Sequence, residues 1–156
     1  GWIMIPFLAS HNFLAWWQLT SANYIEHYGL LRQKEQNGKY ERCQPYHSWN
    51  SNHKYTNLVL FHLERHSDHH AHPTRRYQSL RNFKDVPRLP NGYNGMFPLA
   101  YIPLLWFRVM DPRLMALPHI DGDVTRVNVD PEKKDALYAE YGVAGPNGSI
   151  PTKETA

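Results

Sequence analysis

The stretch HLERHSDHHAHP, residues 62–73, places five histidines in twelve positions. On a helix, successive residues rotate by about 100°, so His66, His69 and His70 fall within roughly 100° of arc and His62 joins the same stripe. His72 projects elsewhere, next to the stop at Pro73. Four imidazoles on one face beside Leu58, Val59, Leu60, Phe61 and Leu63 cost desolvation unless something coordinates or hydrogen-bonds their nitrogens, which points to metal binding. A hydrolytic zinc helix reads H-E-x-x-H. Here Ser67 follows His66, so the general base of that chemistry is missing. Nitrogen donors suit iron, copper, nickel or zinc, and the ligands alone do not choose among them. Cys43 is the only cysteine, which excludes an intrachain disulfide, a Cys-type zinc site and an iron–sulfur cluster. Glu64 and Asp68 fall on the opposite side of the helix, suited to salt bridges with Arg65 or Arg75 or to hydrogen bonds reached through loops. The scattered His11, His47, His53 and His119 read as ordinary satisfied polar residues.

A second group sits in NYIEHYGL, residues 23–30, where Glu26 and His27 close a run without Asp, Glu, Lys or Arg from Trp2 to Ile25. As a helix that run reaches about 36 Å against a hydrocarbon core of roughly 30 Å, so residues 2–25 are a transmembrane candidate. A buried core helix is the alternative, given Pro6, His11, Asn12, Gln18 and Asn23. The run lacks the basic start and small-residue cleavage site of a signal peptide. Ionisable groups at the mouth of such a helix are functional candidates; an interfacial cap flanked by Tyr24 and Tyr28 accounts for the pattern equally well. The chain begins at Gly1 rather than Met and reads as the C-terminal piece of something longer.

These two groups must be positioned by helices, and the pattern predicts an all-α fold. A histidine-rich helix is expected over 56–72. Residues 32–52 read as a polar surface connection with little regular structure. Residues 89–107 are uncharged but broken by Pro90, Gly92, Gly95, Pro98 and Pro103, so an interrupted apolar segment is expected, with Tyr93, Tyr101 and Trp106 suited to an interface. Residues 1–115 form the helical part and 116–156 a polar tail, with a short helix over 131–141 started by Pro131 and capped by Asp130. Gly145, Pro146, Gly148 and Pro151 mark a mobile end. Charge follows the same division. Glu26–Arg113 carries thirteen Lys/Arg against seven Asp/Glu, and Leu114–Ala156 carries four against seven. A basic flank after an apolar helix fits the cytoplasmic side of a membrane; scattered charges without a binding motif argue against nucleic acid.

NYIEHYGL together with LERHSDHHAHPTRRYQSL resembles the third and fourth histidine motifs of the integral-membrane alkane 1-monooxygenases, a branch of the membrane desaturase and hydroxylase superfamily. The likeness runs on through HSWNSNH and PNGYNGMFPLAYIPLLWFRVMDPR, so it spans roughly residues 12–115. It implies the C-terminal part of an inner-membrane helical bundle with a cytoplasmic, histidine-rich cap holding two non-haem iron ions. His27, His66, His69 and His70 would be ligands, with Glu26, His62 and Asp68 just outside them. Many members have Gln where this chain has Glu64, a change expected to matter little. The family's upstream histidine motifs, of HExxHK and EHxxGHH type, are absent from this chain, so it should not complete the centre alone. The implied reaction is terminal hydroxylation of alkanes with O₂, driven by the metal centre rather than by a side-chain acid or base. The alternatives are a related membrane di-iron hydroxylase or desaturase acting on aromatic methyl groups or fatty acyl chains, and a non-catalytic histidine-rich metal-binding protein. The sequence has no nucleotide, haem or cysteine-cluster motif, so electrons must come from a separate carrier. In the family that carrier is rubredoxin, served by its reductase. Arg75, Arg76, Arg81, Lys84 and Arg88 offer a docking surface for an acidic partner, or equally for anionic lipid headgroups.

Overall fold

The computed structural model describes residues 1–141. Among them the secondary structure is helical, with isolated β-bridges and no strand, as an all-α reading requires. The chain divides into two compact units. One comprises Gly1–Tyr28 and Cys43–Trp106; the other comprises Gly29–Arg42 and the chain from Phe107 onward.

The first unit begins with α1, Met4–His27, the uncharged run seen in the sequence. Its 24 residues give about 36 Å of helix. Only its C-terminal turns are covered, through Ser21, Ala22, Ile25 and Glu26, while Phe7, Leu8, Phe13, Leu14, Trp16 and Leu19 are exposed. The segment meets the length of the expected transmembrane helix but not its apolarity: no helix among the described residues is both long and apolar enough to cross a membrane. Ser10, His11, Asn12, Gln18 and Asn23 dilute it.

The helix expected over 56–72 is two short helices, α2 (Lys54–Val59) and α3 (His66–Ala71). Between them Phe61 and His62 both take left-handed backbone angles, φ 50° and 60°. Each such residue costs on the order of 1–2 kcal/mol. The turn is held by the His62 amide on the Asn57 carbonyl (2.8 Å) and the Arg65 amide on the His62 carbonyl (3.0 Å). The apolar stretch 89–107 holds α4 (Tyr93–Ala100), which runs through Pro98, and the start of α5 (Pro103–Met115), which opens on proline.

The core of this unit holds Ile25, Trp49, Tyr93, Met96 and Trp106, all fully buried. Tyr93 and Trp106 therefore do not line an interface as their amphipathic character suggested; Tyr101, about half exposed, is the one of the three that remains outside. Trp106 packs against Tyr24 and Tyr28 with ring centroids 5.3 and 5.2 Å away. Tyr101 meets α1 through the Trp17 ring at 5.4 Å and the Ser21 hydroxyl at 2.9 Å. The connection before α2 is less superficial than its polar composition suggests, since His47 to Ser51 are all buried.

In the second unit Leu30 pairs with Val127, and the Asn128 amide donates to the Gly29 carbonyl at 2.9 Å. Leu30, Met110, Leu114, Ile120, Val124 and Val127 are its buried apolar residues among those described. The last helix, α6, covers Lys134–Glu140. It starts later than Pro131 because Asp130 caps the preceding turn instead, accepting from the Glu132 amide at 3.1 Å. Gly145, Pro146, Gly148 and Pro151 lie outside the described residues.

Candidate metal centre

His27 is the last residue of α1 and His66 the first of α3. Gly29, at φ +69°, follows the end of α1, a conformation that non-glycine residues adopt only under strain. The α3 end is fixed by Asn50. Its carbonyl oxygen accepts from the Ser67 amide at 2.9 Å, while its Nδ2 donates to the Ser48 carbonyl at 2.7 Å and the Ser67 hydroxyl at 2.5 Å. The Ser67 hydroxyl donates in turn to the Pro45 carbonyl. All of these groups except Pro45 are buried, so the bracket works in low dielectric, where a satisfied polar network is stiff.

The result is a convergence of imidazole nitrogens. His66 Nε2 lies 3.3 Å from His27 Nε2 and 2.7 Å from His70 Nε2. Ring centroids are 5.1 Å apart for His27–His66 and for His27–His70, and 4.3 Å for His66–His70. One ligand atom from each of His27, His66 and His70 falls within 4.8 Å of the others. Glu26 adds a carboxylate oxygen, Oε2, at 3.3 Å from His66 Nε2. His27 Nδ1 faces the His47 carbonyl at 3.2 Å, so it carries the proton and leaves Nε2 with a lone pair directed at its neighbours. Lone pairs aimed at a shared point repel unless a proton or a cation lies among them. Burial, followed by the proximity of His70, His27 and His69, lowers the His66 imidazole from its ordinary range to about 2, so it is a neutral donor. A nitrogen-rich set with one carboxylate fits a borderline metal such as iron.

The other sequence candidates separate from this group. His69 keeps ring contact with His66 at 6.0 Å and with His70 at 5.7 Å, and does not join the three converging nitrogens. His62 points away, its Nδ1 3.1 Å from the Tyr77 carbonyl, because the left-handed turn rotates it off the face of α3. Asp68 is fully buried beside the basic segment. It accepts from the Arg81 amide at 2.8 Å, the Arg81 guanidinium at 3.0 Å and Arg75 at 3.1 Å, and it meets His72 Nδ1 at 3.0 Å. Burial alone raises its carboxyl, but the bonds from Arg81 and the charge of Arg75 outweigh this and hold it below the usual carboxylate range. Arg88 donates to the Phe83 carbonyl at 2.6 Å. Arg76 and Lys84 are exposed.

Three contributors were missed in the sequence. Asn50 lies in a stretch that looked like surface. Tyr93 is buried and donates its hydroxyl to Glu26 Oε1 at 2.7 Å. Glu64, set aside as peripheral, is fully buried, and accepts from the Asn57 side chain at 2.8 Å and from the Tyr93 amide at 2.6 Å. The unusual density of Asn, Ser and Tyr near the histidines was the available signal.

Residues 1–100 match the sequence profile of the family described as Fatty acid desaturase. The chain belongs to the fatty acid desaturase family. Every residue of the converging group lies inside the matched part. Members of this family are iron-dependent and membrane-associated. Among curated desaturase-family relatives, alkane 1-monooxygenase 1 of Alcanivorax borkumensis is 56% identical over 146 residues, 93% of this chain and 35% of that protein. Alkane 1-monooxygenase of Ectopseudomonas oleovorans is 53% identical over 154 residues, 98% of this chain and 38% of that protein. A more distant relative, the xylene/toluene monooxygenase hydroxylase component of Pseudomonas putida, is 31% identical over 88 residues, 56% of this chain and 22% of that protein. The chain thus spans a little over a third of the length of the first two relatives.

Proposed function

We propose that the protein carrying this chain is a membrane monooxygenase that converts alkanes to primary alcohols, placing one atom of O₂ on the terminal carbon and reducing the other to water. The observation that carries this reading is the meeting of His27 and His66 nitrogens, 39 residues apart in sequence, at 3.3 Å with His70 and a carboxylate beside them. The nearer likeness to alkane enzymes than to the xylene/toluene component favours an alkane over an aromatic methyl group, which is the second reading.

His27, His66 and His70 would hold iron in a two-iron centre, with His69, next to them on α3, as a further ligand. The remaining ligands come from parts of the protein beyond this chain. Bound iron supplies the activation of O₂ that a strong C–H bond requires. The chain's residues keep the ligands in place: the His47 carbonyl fixes the His27 tautomer, Asn50 fixes the start of α3, and Glu26, whose carboxyl is raised by burial to about 7, sets an oxygen beside the donor nitrogens. α1, not apolar enough to cross a membrane by itself, packs in the complete protein with its exposed rings and leucines toward acyl chains, and the metal centre lies at its cytoplasmic end. Two electrons come from rubredoxin and its reductase. Arg76 and Lys84, with the outer parts of Arg88, Arg75 and Arg81, form the docking face, and Asp68 anchors it to α3.

The test is expression of the complete gene with octane, xylene and a fatty acid as substrates, together with metal analysis of the detergent-purified protein. The expected outcome is 1-octanol as the main product and iron as the main metal. A dominant methylbenzyl alcohol would move the assignment to the aromatic reading. Near-zero iron would leave a histidine-rich protein without this chemistry.

A further inference from the structure

Glu26 has two oxygens with different surroundings. Oε2 faces His66 Nε2 at 3.3 Å, and Oε1 accepts the Tyr93 hydroxyl at 2.7 Å. Tyr93 and Glu26 are both buried, with Tyr93 fully enclosed. Burial, with the charges of Glu26 and Glu64, pushes the Tyr93 phenol well above its ordinary range, so the hydroxyl keeps its proton and donates it to Glu26 Oε1. Tyr93 is itself immobilised from behind. It is the first residue of α4, a helix whose N-cap residue, Gly92, supplies no capping side chain. The missing acceptor is Glu64, which takes the Tyr93 amide at 2.6 Å and is held by Asn57 at 2.8 Å. Gly92 lets α4 come this close, because a Cβ there meets the Thr56 hydroxyl and His53 side chain. A continuous set of buried bonds therefore runs from Asn57 through Glu64 and Tyr93 to the oxygen of Glu26 that does not face the histidines.

We propose that Tyr93 is a positioning residue for the metal centre: by occupying Oε1 it orients the Glu26 carboxylate so that a single oxygen, Oε2, is presented to the metal held by His27, His66 and His70. The inference rests on the metal-centre reading above. A carboxylate free to rotate offers both oxygens in turn; one pinned by a buried phenol offers a single oxygen with its charge in one place. Such outer partners ordinarily tune metal affinity by roughly 10–100-fold. Glu64 acts one step further back, by fixing the backbone from which the phenol projects.

The experiment uses the full-length protein, extracted in detergent, stripped of metal and reloaded with cobalt(II), whose visible absorption reports the ligand field. Tyr93→Phe should leave the helical circular-dichroism signal and the amount of cobalt bound at saturation unchanged. It should shift the cobalt bands and weaken cobalt affinity by about 10-fold. Glu26→Gln should do at least as much, and the double variant should match Glu26→Gln alone, because both changes act through one oxygen. A wild-type spectrum in Tyr93→Phe, or effects that simply add in the double variant, overturns the proposal. Should Tyr93→Phe fail to fold, 3,5-difluorotyrosine at position 93 keeps the ring and strengthens the donor: shifted cobalt bands support the proposal and unchanged bands overturn it. Wild-type protein that takes up no cobalt, or that is indifferent to His66→Ala, overturns the metal-centre reading instead, and this inference with it.

Discussion

His62 and His66 stand four residues apart, and on an unbroken helix they share a face. In the folded chain His62 faces the Tyr77 carbonyl, while His66 is buried among His27, His70 and Glu26. The difference is made between them, by two left-handed residues that end one register and begin another. The second register is then locked by Asn50 on the Ser67 amide and by Asp68 on Arg75 and Arg81. A run of identical side chains thus becomes two regions: one made by its turn and half open to solvent, the other made by tertiary contacts and committed to a site. Histidine count alone is a poor guide to ligand number; what the backbone does between histidines decides it.

The largest effect should come from the committed region. In the full-length protein His66→Ala is expected to lower metal affinity by at least about 100-fold and to abolish the proposed hydroxylation, whereas His62→Ala should leave both within about twofold. Metal titration of the two variants side by side checks the contrast, and equal losses would erase the distinction between the regions. His69→Ala sharpens it further. Membrane insertion should be intact and turnover lost, with bound iron falling toward half of wild type if His69 serves the second ion alone; near wild-type activity would remove His69 from the ligand set.

Next in size is the buried frame. Glu64→Ala strands the Asn57 side chain and the Tyr93 amide, and should cost about 1–3 kcal/mol of stability. Denaturant midpoints measured on the metal-free protein test this, and an unchanged midpoint would mean that the frame is dispensable. Acidity should act through His66. Its imidazole is held at about 2 when folded, against an ordinary value near 6.5, so the unfolded chain binds the extra proton between these limits. His66 therefore contributes a loss of stability as pH drops below about 6.5, of up to about 2 kcal/mol from pH 7 to pH 5 in the metal-free protein. Glu26, whose carboxyl is raised by burial to about 7, contributes in the opposite sense over the same range. His66→Gln should remove the first contribution, so that urea midpoints at pH 5 gain on those at pH 7 relative to wild type, and Glu26→Gln should do the reverse.

The smallest effect is expected at the proposed docking face. Arg76→Glu, which has no carboxylate partner among the described residues, should slow reduction by the carrier several-fold at low salt and little at high salt. Arg81→Glu should in addition destabilise the protein, because Arg81 is tied to buried Asp68. Steady-state reduction at two ionic strengths separates charge steering from structural loss.

The sequence by itself determined the helical class and marked the histidine run as a metal-ligand candidate, because each depends on residue type and local spacing; its pairing with NYIEHYGL came from the resemblance to a family. The tertiary structure alone decided which histidines meet. Left-handed geometry at Phe61 and His62 carries no glycine to announce it, and the bonds that hold it are backbone bonds between Asn57 and Arg65, which no residue type marks, with the His62 ring reaching the Tyr77 carbonyl 15 residues on. For the same reason Asn50, Glu64 and Tyr93 looked peripheral. A polar residue is ordinary on a surface and becomes decisive only when folding buries it against a specific partner, and that partner lies 17, 29 or 67 residues away.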